Sequence, residues 1–197
     1  MGRAAVAQGA RRLVSARNGQ LIGLMGPNLA AAVGSELKGS GVTLLAVDTG
    51  ANVIRADEES PQVVTHSLGL WRGAVALGAW AARRYGPRAL VLSGIVESGY
   101  DMLHAFEIGV TEGGGDALPA IVTHAAAEPV DWTAVLKQVK EARPDVVYAL
   151  YSGTSAVEFL QAWRASGLRI PLVASPFLVD ETILPRHQGR AAGIRSA

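Results

Sequence analysis

The chain has 197 residues, 18 of them basic and 17 acidic, for a formal net charge of +1. At ~100–200 residues per domain this length allows one full domain or two small ones. A hydrophobic share of 49% with only 18% charged residues excludes a disordered chain, which would be poor in apolar residues and strongly charged.

The near balance of charge, with no basic block, argues against nucleic acid as a partner. The absence of cysteine removes disulfides, thiolate zinc sites and a thiol nucleophile. Positions 1–19 contain no continuous apolar stretch long enough for a signal-peptide core, so the chain is expected to carry no export signal. The strongest apolar runs, Ala89 to Leu92 and Val146 to Tyr151, fall far below the ~18 residues of a membrane span. A soluble protein with no direct membrane insertion is expected.

Taken in chain order, Ala4 to Arg17 has the spacing of an amphipathic helix, and Leu21 to Met25 is a short apolar run stopped by Gly26-Pro27-Asn28. Leu29 to Lys38 is again helical in pattern, and Val42 to Val47 is a second apolar strand ending at Asp48-Thr49-Gly50-Ala51-Asn52. Strands without apolar/polar alternation suit a parallel sheet buried on both faces. Arg55 to Gln62, polar and holding Pro61, is expected to be an exposed loop.

The pattern predicts a long helix over Leu70 to Tyr85, stopped by Gly86-Pro87, and a strand over Ala89 to Leu92. A loop, Ser93 to Gly99, leads into a helix from Tyr100 to Thr111, a glycine run and a strand over Ala120 to His124. Asp131 is placed to cap a helix through Ala142, with Trp132, Val135, Leu136 and Val139 on one face. Asp145 to Leu150 reads as a strand, Ser155 to Ser166 as a helix ended by Gly167, and Pro171 to Ala174 as a further strand. Strict alternation with short connections implies right-handed parallel crossovers and a doubly wound α/β fold. In such sheets ligands bind beyond the carboxyl ends of the strands.

The loops at those ends carry few groups suited to catalysis. No G-x-G-x-x-G follows the first strand, so the dinucleotide fingerprint is missing. Gly34 to Ser40 has the outer spacing of a P-loop, but Ser40 stands where the lysine is needed and the segment lies late in a helix. No G-x-S-x-G surrounds any serine. His66, His104, His124 and His187 are scattered, and His104 with Asp101 and Glu107 one turn away is ordinary surface pairing. No metal site or cofactor is expected. The acidic run Asp57-Glu58-Glu59 reads as a solvated loop, and Trp71, Trp80, Trp132 and Trp163 as packing aromatics on helices.

Several segments together resemble a known family. Leu21-Ile-Gly-Leu-Met-Gly-Pro-Asn28 and Gly41-Val-Thr-Leu-Leu-Ala46 are similar to its first-lobe strands. Glu97-Ser-Gly-Tyr-Asp101, then Ala105-Phe106, Gly109 and Gly114-Gly115, are similar to the stretch that opens its second lobe. Asp131-Trp132 with Leu136, Arg143-Pro-Asp-Val-Val147, and Gly167-Leu168 with Pro171-Leu172 continue the match in order. The family is the type I periplasmic binding fold, in its leucine/isoleucine/valine-binding form found among ABC-transporter substrate-binding proteins.

The resemblance implies a non-catalytic binding protein of two Rossmann-like lobes. A small amino-acid-like, amide or organic-acid ligand would lie between them and be held by hinge closure, and an ABC permease would be the membrane partner. It implies a periplasmic or extracellular location, although this chain shows no signal peptide. By comparison with the family pattern, residues 1–87 correspond to an incomplete first lobe, 88–188 to the second, and 189–197 to the start of the crossover back. An incomplete lobe is expected to expose apolar sheet surface and to favour self-association.

Position by position, the resemblance places Pro27, Asn28, Thr49, Gly50, Ala51 and Asn52 at the ligand from the first lobe, and Ser98, Tyr100, Tyr151, Ser152 and Ser175 from the second. Amino-acid binders carry a carboxylate near the end of the last second-lobe strand, where this chain has Ser175-Pro176. That departure points away from a plain branched-chain amino acid and toward another small carboxylate or an amide. A ligand-sensing regulatory domain of the same fold and a doubly wound enzyme of another kind are the alternative readings.

Overall fold

The computed structural model describes residues 2–17, 20–55, 59–124, 129–181, 185–186, 189 and 191–197. The described elements sort into two compact units, Met1–Leu70 and Trp71–Ala197.

The first unit holds α1 (Arg3–Arg17), β1 (Leu21–Leu24), α2 (Pro27–Glu36), β2 (Leu44–Asp48) and β3 (Val63–Ser67). Helix α2 starts abruptly because Gly26 is extended and Pro27, with its fixed φ and no N–H to waste, takes the first helical position. The strands are all parallel in the order β1-β2-β3, with Leu21, Leu44 and Val63 in register. Helices α1 and α2 cover one face, where Ala10, Ala30, Val33, Leu37, Val42, Leu44 and Ala46 form the core. Arg11 pairs with Glu36 at 2.7 Å across the two helices.

Strand β3 was not legible as a strand. Its sequence, Val63-Val64-Thr65-His66-Ser67, has two apolar residues and no alternation, and four of its five residues are exposed. Pairing with β2 rather than burial makes it a strand.

The second unit begins with α3 (Leu70–Tyr85) and continues through β4 (Arg88–Gly94), α4 (Met102–Glu112), β5 (Asp116–Ala117), β6 (Ile121–Thr123), α5 (Trp132–Ala142), β7 (Val146–Leu150), α6 (Gly153–Ala165), β8 (Leu172–Ala174) and β9 (Arg195–Ser196). All pairings are parallel, in the order β5-β4-β7-β8-β9, with β6 also on β4 beyond β5. The central strands are buried throughout, apart from Arg88 at the start of β4. On one face Val147, Ala149 and Tyr151 pack with Val135, Leu136, Phe159, Leu160 and Trp163 of α5 and α6. On the other, Tyr148 stacks on Phe106 of α4 at 4.2 Å. Helices on both faces match the expected doubly wound α/β architecture.

The division between units falls earlier than position 87, where the resemblance drew it. Helix α3 goes with the second unit because it lies against α4 at glycines: a Cβ at Gly78 would collide with the Phe106 carbonyl, and one at Gly109 with the Val75 carbonyl. Two such sites let the backbones approach more closely than side chains would permit.

The predicted stops and caps are found. The Asp131 carboxylate accepts from the Ala134 N–H at 3.0 Å, and Gly167 is left-handed, with φ +67°, just past α6. Helix α5 ends on Arg143, φ 48°, and the Arg88 guanidinium donates to the freed Ala142 carbonyl at 2.9 Å. Trp163 is buried, while Trp132 packs edge-on to Tyr151. No described helix is long and apolar enough to cross a membrane.

Candidate functional site

In the second unit the chain runs from β4 to one side, building β6, and then returns to the other side to build β7. Strand order therefore reverses at β4. A parallel sheet leaves a crevice at such a point, outside its carboxyl ends, because the connections on the two sides diverge to opposite faces. The groups at this crevice come from the ends of β4, β6 and β7.

Beyond β4 the backbone stays paired for one more residue, the Ile95 N–H donating to the Thr123 carbonyl at 3.0 Å. It then winds into a 3-10 turn, Glu97–Gly99, closed by Ser98 Oγ donating to the Ile95 carbonyl at 2.8 Å and by the Tyr100 N–H donating to the Glu97 carbonyl at 3.0 Å. This turn points Ile95 and Val96 outward, 48% and 68% exposed, and folds Glu97 inward, only 5% exposed. The Glu97 carboxylate lies over Gly94, where any Cβ would collide with it.

Ser152, after β7, donates its hydroxyl to Glu97 Oε1. It occupies the N-cap of α6 with the extended backbone of a capping residue, φ −135° and ψ 168°, yet its side chain caps no helix N–H. Thr123 at the end of β6 donates to the Ser93 carbonyl at 3.2 Å and shares a 3.3 Å hydrogen bond with the Tyr151 hydroxyl. Burial pushes the Tyr151 phenol well above its ordinary pKa, and the charge on Glu97 adds to the effect, so it remains a neutral hydroxyl. Two polar pairs thus stand at the strand ends, Thr123 with Tyr151 and Ser152 with Glu97, and the Glu97 charge reaches the Tyr151 phenol.

The remaining expected residues of this unit take different stations. Tyr151 is wholly buried, its ring stacked on Phe159 at 4.9 Å. Ser98 is half-buried with its hydroxyl used in its own turn. Tyr100 is half-buried and packs on Phe177 at 5.8 Å. Ser175, at the carboxyl end of β8, is fully buried and its Oγ has no hydrogen-bond partner among the described residues.

In the first unit, Pro27 and Asn28 follow β1, and Thr49 to Asn52 follow β2, so the two segments leave adjacent parallel strands at the same edge. Asn28 and Thr49 are exposed, Asn52 is half-buried, and Pro27, Gly50 and Ala51 are buried. The Asp48 carboxylate accepts from the Gly50 N–H at 2.8 Å. Gly50 has φ +69°, and a Cβ there would collide with Gly69 and Ser67, so only glycine lets the loops after β2 and β3 pack together. A depression lined by Gly34, Ser35, Lys38, Ser60 and Gln62 lies toward the C-terminal end of α2 and includes none of these residues.

Glu97 is the residue that reasoning from sequence passed over. It stands in the motif matched to the second lobe, but an acid between Val96 and Ser98 reads as solvated until the turn and Ser152 are known to bury it. Among the described residues no group of three potential metal ligands converges. His104 pairs with Glu107 at 2.8 Å on an exposed helix face, His66 and His124 are exposed, and His187 lies outside the described residues. Of the acidic run, Glu59 is exposed and Asp57 and Glu58 lie outside the described residues.

Comparison with known proteins agrees with this architecture. The periplasmic binding protein family model matches residues 3–197. No curated protein sequence matches the chain. Among solved structures, an ABC transporter substrate-binding protein from Sphaerobacter thermophilus superposes with a TM-score of 0.83 at 23% identity, over 98% of this chain and 54% of that one. A solute binding protein of an ABC transporter from R. palustris, in complex with benzoate, gives 0.75 at 23% identity, over 99% and 54%. A leucine binding protein from Thermotoga maritima gives 0.72 at 15% identity, over 98% and 55%. The chain spans about half the length of these proteins. A family match running over nearly every residue, on two parallel α/β units, makes this chain a member of the periplasmic binding protein family.

Proposed function

We propose that the chain is the ligand-binding part of a solute-binding protein serving an ABC importer, and that its ligand is a small amino-acid-like, amide or organic-acid molecule. The observation that carries this reading is the inward-folded Glu97 held by Ser152 at the reversal point of the second sheet, with the apolar Ile95 and Val96 exposed beside it in the same turn. An apolar wall with a few placed polar groups is the usual make-up of a small-molecule site. Ligands in solved relatives, such as benzoate in the R. palustris protein, support a small organic molecule.

Closure of two lobes on the ligand, delivery to a permease and a periplasmic location belong to the same proposal, on the strength of the family. So do the contacts assigned to Pro27, Asn28, Thr49 to Asn52, Ser98, Tyr100, Tyr151, Ser152 and Ser175. For Tyr151 the role compatible with its burial is to hold the polar set in place. The test is a thermal-shift screen of amino acids, amides and aliphatic and aromatic acids. A true ligand at a hundred times its Kd stabilises the folded chain by about 2.7 kcal/mol, which is a shift of several degrees. No stabilisation across the panel overturns the proposal.

A further inference from the structure

We propose that the outward faces of α3 and α4 are the contact through which two copies of this chain associate, the basic helix of each lying along the acidic helix of the other. This association needs no ligand and stands apart from solute binding.

The two helices segregate their charge. Helix α3 carries Arg72, Arg83 and Arg84 and no acid, whereas α4 carries Glu107 and Glu112 and no lysine or arginine. Arg72, Arg83 and Glu112 are exposed. Among the described residues no ion pair joins α3 to α4, and of these charges only Glu107 is ion-paired, with His104 of its own helix. Two of the charges also stand at the wrong end of the helix that bears them. Arg72 lies in the first turn of α3 and Glu112 is the last residue of α4, where the helix dipole disfavours a cation and an anion respectively. Local helix stability does not account for their signs.

Apolar residues lie between the charges. On α3 the exposed Arg72, Ala76, Trp80 and Arg83 follow helical spacing along one stripe, and on α4 Ile108 falls one turn before Glu112. Trp80 is 37% and Ile108 54% exposed. The Trp80 ring is braced by edge contact with Tyr85 at 5.4 Å, so it is ordered before any partner arrives. Tryptophan, tyrosine and arginine are the residues that most often dominate the energy of protein contacts.

Geometry selects a second copy as the occupant. A Cβ at Gly109 would meet Val75 and one at Gly113 would meet Ala79, so α3 and α4 run parallel and side by side, with Arg72 about level with Glu107. A two-fold axis parallel to both helices lays each α3 on the α4 of the second copy at equal height. Arg72 then faces Glu107, the small Ala76 leaves room for Ile108, and Arg83 stands about 7 Å along the axis from Glu112, a gap that two long side chains bridge. Each attraction occurs twice, as an isologous contact requires. A two-fold across the helices would instead set Arg72 against Arg83. Helices of 16 and 11 residues, at about 1.5 Å per residue and ~10 Å wide, give each copy a footprint of roughly 400 Å². That is the size of a weak, reversible contact rather than a permanent one.

The test is sedimentation of the full chain carrying Leu24→Lys, which suppresses association through the exposed sheet face of the first unit. In this parent, one variant reverses the basic stripe, Arg72→Glu with Arg83→Glu, and another reverses the acidic one, Glu107→Arg with Glu112→Arg. The parent is expected to dimerise, at least about fivefold more weakly at ~500 mM than at ~50 mM salt. Each reversed chain should dimerise at least about tenfold more weakly than the parent, and an equimolar mixture of the two should recover dimers within about threefold of the parent affinity. A folding defect in either variant does not produce recovery on mixing. A parent that stays monomeric up to millimolar concentration overturns the proposal. So does association that the reversals leave unchanged, or a mixture that fails to recover.

Discussion

The two sheets of this chain dispose of their faces in opposite ways. In the second unit the central sheet is covered on both sides, by α4, against which α3 lies, on one and by α5 and α6 on the other. In the first unit α1 and α2 cover one face, and the other presents Ile22 and Leu24 at 76% and 83% exposure with Val64 at 55%. Both sets of strands are rich in Leu, Val, Ile and Ala, so strand composition does not separate them. What separates them is whether helices are available for the second face, and that makes one unit a closed core and the other a half-covered layer.

Four measurements break or sharpen this comparison. All four tryptophans, Trp71, Trp80, Trp132 and Trp163, lie in the second unit, so their fluorescence reports that unit alone. The largest effect is expected for Phe159→Ala, which removes a fully buried ring packed against Tyr151, Trp132 and Trp163. It should cost about 3–5 kcal/mol in urea unfolding followed by tryptophan emission. A cost under about 1 kcal/mol would mean that the double-covered core is not closed.

Next in size is Gly109→Ala, where the new methyl meets the Val75 carbonyl. Forcing α3 and α4 apart should cost about 1–3 kcal/mol by the same measurement. A neutral result would detach α3 from the second unit.

Tyr148→Phe should be neutral or stabilising by up to about 1 kcal/mol, because its buried hydroxyl has no hydrogen-bond partner among the described residues. It also has a pH signature. Burial raises the phenol's folded-state pKa well above the ordinary ~10. Below ~10 both states keep the proton and stability is unaffected; above it the unfolded chain ionises first, binds fewer protons than the folded one, and stability falls as pH rises. Tyr148→Phe should flatten that alkaline decline, and an unchanged slope in urea titrations above pH ~10 would contradict it.

The smallest effect on stability belongs to Leu24→Lys, on the uncovered face of the first unit. It should change unfolding by no more than about 0.5 kcal/mol while reducing self-association in sedimentation. Destabilisation by several kcal/mol would show that this face is covered after all.

Much of the second unit was readable along the chain. Leu70 to Tyr85 was bounded by periodicity and by Gly86-Pro87, and Asp131 by its position three residues before the Ala134 N–H it accepts from. These are local signals, carried within one helical turn. Strand β3 escaped because an exposed edge strand has neither an apolar run nor alternation to mark it, and the boundary before α3 escaped because it depends on the match between Gly78 and Gly109, some thirty positions apart. The expected ligand contacts were placed by position at strand ends, but only the fold shows Ser98 closing its own turn and Tyr151 stacked on Phe159.

By itself the sequence determined the alternation of strand and helix, the parallel doubly wound class and the family, because each follows from short-range pattern or from strand direction. Tertiary structure alone decided that Glu97 is buried and that Ser152 turns from capping α6 to hold it. A carboxylate's worth depends on the dielectric around it and on the charges within a few ångströms. Those neighbours, Tyr151 and Ser152, follow β7, up to 55 residues away in the chain.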